Sequence, residues 1–124
     1  MPARQVLHTI ATANFYCRDK QPETVGSLAA GYWGRDLDWE GTATEELPNQ
    51  AEVRGYLEHV GQRGRQWIES KSDMDWLAEQ GDFAWTGPNL LSRSIYLIRH
   101  IQGHIGEINA ELRRRGLERV QWVA

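Results

Sequence analysis

Apolar positions recur at helical spacing over three stretches of the chain. From Pro2 to about Lys20, the residues Leu7, Ile10, Ala11, Asn14 and Cys17 fall on one face and predict a helix, with Asn14 the polar exception. His8 and Phe15, two turns apart, lie on the flank of that stripe. A second helix is expected from Asn49 to about Lys71. Asn49 followed by Glu52 has the form of a capping box, and Val53, Leu57, Val60, Gly64, Trp67 and Ile68 make its inward stripe. The longest periodic segment runs from Pro88, a residue suited to a first helical turn, to Arg115, just before Gly116. There Leu90, Leu91, Leu97, Ile98, Ile101, Ile105, Ile108 and Leu112 form a wide apolar stripe.

The intervening segments are weaker. Gln21 to Pro48 reads as a long loop with one short helix around Glu23 to Ala30, and a loop of that length in a compact domain points to function or to a misread element. Ser72 or Asp73 ahead of Asp75, Trp76 and Leu77 predicts a short helical turn within Ser72–Glu79, and Gly81 to Thr86 is a connector. The expected fold is therefore an all-α helical bundle: three long helices and a long middle loop in a single domain spanning residues 1–124. Three helices cover one another's stripes less completely than four, so a homodimer is expected to complete the bundle. A mixed α+β fold would need strands in Gly31–Leu47 or Gly81–Trp85, which are too short and too acidic to supply much sheet.

Composition narrows the function classes. With 40% hydrophobic and 25% charged residues the chain is ordinary globular protein. Its net charge is -3, and the one basic cluster, Arg113 to Arg115, sits where a helix ends and cations oppose the macrodipole. No broad basic face exists for nucleic acid. No apolar run approaches the ~20 residues that span a bilayer, and the N-terminus lacks a signal-peptide core, so neither membrane nor export is expected and the default location is cytoplasmic. Cys17 is the only cysteine, which excludes an intrachain disulfide and a CxxC metal site and suits a buried thiol. The six tryptophans fit either core packing or the lining of a pocket or interface.

The concentrated chemistry lies on the last helix. His100 and His104, four residues apart, stand on one face about 5 to 6 Å apart at the β-carbon and can converge on one ion. Tyr96, Glu107 and Glu111 continue that face. The plain alternative is a pair of solvated histidines. Catalytic zinc-type sites use three protein ligands and leave a position open, so a third ligand decides between these readings. His8 is the candidate, because it flanks an apolar stripe on another helix. His59, beside Glu58, Gln62 and Arg63, has the surroundings of a surface residue.

The segment Leu7-His8-Thr9-Ile10-Ala11 running to Phe15-Tyr16, followed by His100-x-x-x-His104-x-Gly106-Glu107-Ile108 and Leu112-Arg113-Arg114-Arg115-Gly116, resembles the DinB-like superfamily of metal-binding four-helix bundles. The resemblance covers most of the chain from His8 to Gly116 and is most specific in the last helix. It implies that His8, His100 and His104 together hold a divalent ion, with zinc, nickel or iron as candidates, and that Tyr96 and Glu107 support or orient those histidines from behind. It further implies a metal-dependent enzyme, a transferase or isomerase that uses a low-molecular-weight thiol and acts on a small electrophile. Family members carry a whole helix before the first histidine, whereas seven residues precede His8 here. The expectation is that the chain begins late, or that the middle loop or a partner chain fills that place. The contrasting class is a non-catalytic binding or stress-response module with a structural ion or none.

Overall fold

The computed structural model describes residues 2–35, 37 and 40–121. Among them every regular element is helical. Three helices are long, α1 (Pro2–Tyr16), α3 (Gln50–Glu69) and α5 (Leu90–Arg114), and two are short, α2 (Val25–Trp33) and α4 (Asp73–Leu77). Single 3-10 turns stand at Thr44–Glu46 and Ala84–Thr86. The expected all-α bundle of three long helices is the architecture found.

Cap chemistry sets the starts of the later helices. Asn49 caps α3 with Glu52 reaching back, as the sequence predicted, and Ser72 caps α4 with Asp75 in the reciprocal role. The last helix begins two residues later than Pro88 suggested. Asn89 is the cap, its side chain accepting from the Ser92 amide, and the Pro88 carbonyl is instead occupied by the Gln80 amide. Gly87 just before it has φ +114, and a Cβ there would meet Ser92 Oγ at 2.5 Å, so only glycine makes this entry.

The first helix stops at Tyr16, four residues short of Lys20, and the reason is a buried cation. Arg93 of α5 is 2% exposed, and its guanidinium donates to the carbonyls of Tyr16 and Arg18 at 3.4 and 2.6 Å. It sits at the helix end, where the macrodipole favours positive charge. The same guanidinium lies 4.0 Å from the centre of the Phe83 ring and donates to Gln80 Oε1. Phe83 is fully buried with a left-handed backbone, φ 55, a conformation costing about 1–3 kcal/mol that burial of its ring offsets.

Helix α1 is the centre of the bundle, packing against α5, α3 and α2. One core cluster joins its Leu7 and Ile10 to Tyr56 and Val60 of α3, with Trp33 and Leu47 at the edge. Another joins Phe15 and Tyr16 to Phe83, Tyr96 and Leu97. Asn14, the polar residue in the stripe, is buried as a hub: it donates to Tyr56 Oη, and its Oδ1 accepts from Arg18 and Arg63.

Two expectations about inward faces need correcting. On α3 the most buried residue is Tyr56, while Leu57 and Ile68 of the expected stripe are half exposed. On α5, Leu91 and Ile98 are likewise exposed. The cause is that α3 and α5 both pack on α1 and scarcely on each other, so the slot between them stays open. The middle segment is also more ordered than a loop with one helix at 23–30, since α2 extends to Trp33 and a further turn forms at Thr44–Glu46. Of the six tryptophans, Trp33 packs on the core, Trp67 donates to Asp19, Trp76 stands against Trp67, and Trp85 donates to Tyr16 Oη. Trp39 and Trp122 lie outside the described residues.

Candidate metal centre

The interface of α1 with α5 carries the chemistry. Leu7 and Ile10 turn α1 toward the core shared with α3, which leaves His8, one residue round, on the flank that meets α5. The i, i+4 spacing of His100 and His104 places both rings on the α5 face opposite. His8 lies with its ring centre 5.4 Å from that of His100 and 4.7 Å from that of His104, and the two α5 rings are 4.4 Å apart. The ring planes are steeply inclined to one another, at 61°, 89° and 81°, so the three do not stack as an aromatic cluster. One nitrogen from each lies within 4.8 Å of the others, and among the described residues this is the group able to hold a metal ion.

Neighbouring groups fix the rings. Glu107 Oε2 lies 2.8 Å from His104 Nδ1, and Gln5 Nε2 donates to the same oxygen at 2.6 Å. A carboxylate only accepts, so it holds the Nδ1–H tautomer of His104 and turns the Nε2 lone pair inward. That nitrogen is 3.0 Å from His100 Nε2, where a hydrogen shared by the pair would give way to an ion bound by both. Tyr96 stacks parallel to His100, with centres 6.3 Å apart and planes 14° apart. Behind Tyr96 stands Tyr16, which receives a hydrogen bond from Trp85 and whose phenol burial pushes up to about 12.

Electrostatics favours the neutral form of His8 and His100. Burial, then the nearby His104 and His100 rings, lower His8 to about 4, with Glu107 opposing. His100 is lowered by burial and by His104, again against Glu107. Neutral imidazoles are the ligand form, and two nitrogens sharing a tetrahedral ion at ~2.0–2.1 Å would stand about 3.3 Å apart, near the separation of the α5 pair. The donor set therefore fits a divalent transition metal, with no carboxylate or thiolate among the described residues joining the three imidazoles.

Among the other residues singled out from sequence, His59 is exposed and packs on Tyr32, on α3 and away from the triad. Glu111 continues the face only nominally, because Arg114 and Arg115 hold its carboxylate and keep it at about 2. Cys17 is partly buried, its thiol pushed up by burial, and it does not join the cluster. Sequence reasoning missed Gln5. Its spacing of three from His8 was the available signal, since it places the amide one turn away on the same flank.

Fold and site together define an all-α helical bundle with a three-histidine candidate metal centre between its first and last helices. No protein-family model, curated protein or solved structure matches the chain.

Proposed function

We propose that this chain is a divalent-metal protein of the DinB-like type, holding its ion through His8, His100 and His104. The observation that carries the reading is the convergence of three imidazoles from two helices, with one of them oriented by a carboxylate. Three protein ligands leave coordination positions for water or a substrate, which favours catalysis over a closed structural site. The bound ion supplies Lewis acidity, lowering the pKa of a thiol that reaches it.

The reaction class proposed is transfer of a low-molecular-weight thiol to a small electrophile. Sulfur forms a bond to the electrophilic carbon, the bond to the leaving group breaks with its electron pair, and the thiol proton passes to solvent. In that reaction Glu107, anchored by Gln5, keeps the proton on His104 Nδ1, and Tyr96 holds the plane of His100. The contrasting role, a binding module with a structural ion, predicts metal without turnover. The deciding experiment measures thiol consumption against a panel of alkyl and epoxide electrophiles, with protein loaded with zinc, nickel or iron and protein stripped by chelator. Consumption that needs the loaded ion supports transfer; a loaded protein that consumes no thiol with any electrophile contradicts it.

A further inference from the structure

Helix α1 meets α5 along a strip formed by Gln5, His8, Thr12 and Tyr16, at steps of three, four and four. Gln5 donates to Glu107, His8 faces the rings of His100 and His104, and Tyr16 lies ring to ring with Tyr96. Residue numbers rise along α1 as they fall along α5, so the pair is antiparallel and Thr12 stands opposite the turn from Tyr96 to His100. Helical side chains lean toward the N-terminus of their own helix. In this pair the leans converge: Thr12 leans toward His8, and His100 leans back toward Tyr96 and Thr12. Thr12 is 4% exposed, and its Oγ1 is buried with no hydrogen-bond partner among the described residues. A helical threonine can place its hydroxyl on the carbonyl one turn back, as Thr9 does on Gln5 at 2.7 Å. Thr12 does not. A hydroxyl left unpaired in the interior costs the fold stability, and such groups in native proteins answer to a bound partner or a catalytic role.

We infer that Thr12 binds the substrate thiol at the three-histidine centre, its hydroxyl donating a hydrogen bond to the thiolate sulfur. The inference rests on the thiol-transfer reading above and adds the residue that orients the sulfur. The other donors of the seam are committed. Gln5 Nε2 is given to Glu107, the Nδ1–H of His104 faces the same carboxylate, and Tyr16 Oη is held by Trp85 and Tyr96. A thiolate only accepts, so it needs a donor, and the Thr12 hydroxyl is a neutral one a single helical turn from His8. A hydrogen bond given to the charged form favours that form, so the hydroxyl adds to the ion's effect on the thiol proton.

Titration of the cobalt(II)-loaded full chain with 2-mercaptoethanol tests it, read from the sulfur-to-cobalt charge-transfer absorption. Cobalt content and the urea midpoint of the metal-free protein are measured beside it. Thr12→Val keeps the shape of the side chain and removes the hydroxyl, whereas Thr12→Ser keeps the hydroxyl. The valine variant should need about tenfold more thiol for half-saturation, and the serine variant should stay within about threefold of wild type. Both should hold a full complement of cobalt. The metal-free valine variant should unfold at no lower urea than wild type, because the hydroxyl it loses has no partner. A valine variant that binds thiol as wild type does, or a serine variant as weak as the valine one, overturns the role of Thr12 and leaves the thiol reading standing. A valine variant that sheds cobalt or unfolds at lower urea also overturns it, since Thr12 would then support the histidines and not the sulfur. Wild-type protein that retains no cobalt, or that holds cobalt and gives no sulfur-to-cobalt band, overturns the underlying reading and the inference with it.

Discussion

Toward α1, helix α5 is covered along its length: Leu90 and Arg93 are buried, Tyr96 meets Tyr16, and His100 and His104 meet His8. Away from α1 the same helix is bare, with Leu91, Ile95 and Ile98 exposed. The covered side is polar in its C-terminal half and the bare side apolar, the reverse of what burial alone would choose. The difference teaches that coverage here serves orientation. Only a second helix can desolvate an imidazole, hold it neutral and set its angle, so the histidines occupy the packed seam.

The contrast breaks most easily at the core. Leu90→Ala removes a fully buried side chain and should cost about 2–5 kcal/mol in urea unfolding, whereas Ile98→Ala should cost less than about 0.5 kcal/mol in monomeric protein. Equal costs at the two positions would deny that α5 has a covered and a bare side. Asn14→Ala should come next, at about 1–3 kcal/mol, because Tyr56, Arg18 and Arg63 lose a shared buried partner. A loss within error of zero would mean that water replaces the amide.

The pH dependence of the metal-free protein sharpens the same contrast. In the unfolded chain His8 takes a proton near ~6.5, and in the folded chain only near about 4. Between those values the unfolded state binds more protons, so stability is full above 6.5 and is lost as pH falls toward 4. Urea midpoints of wild type should decline over that window, and His8→Ala should decline less; identical slopes would place His8 in water. The smallest effect is expected at Gly103, where a Cβ meets nothing: Gly103→Ala should raise stability by about 0.5–1 kcal/mol, and a thermal midpoint that falls instead would reveal a neighbour the bundle does not show.

Much of this was legible from spacing. Period 3.6 marked the three long helices, the Asn49/Glu52 pair marked a helix start, and i, i+4 histidines with a flanking His8 marked the site residues that the fold brings together. What spacing could not convey was which neighbour covers which stripe. Leu57 and Tyr56 are adjacent in sequence, yet one is half exposed and the other fully buried, because that choice depends on how α3 is rotated against α1. The early end of α1 was hidden for the same reason: the guanidinium that donates to the carbonyls of Tyr16 and Arg18 comes from Arg93, far along the chain. Gln5 and Glu107 meet only after α1 and α5 pack.

The central claim is that His8, His100 and His104 form one metal site, and elemental analysis of purified wild type and its histidine variants tests it most directly. After loading with zinc and removal of the excess, the account predicts one ion per wild-type chain, little or none in His8→Ala, His100→Ala and His104→Ala with helicity retained, and a full complement in His59→Ala. Wild-type protein that retains no ion, or a His59 variant that loses metal while the His104 variant keeps it, would contradict the account.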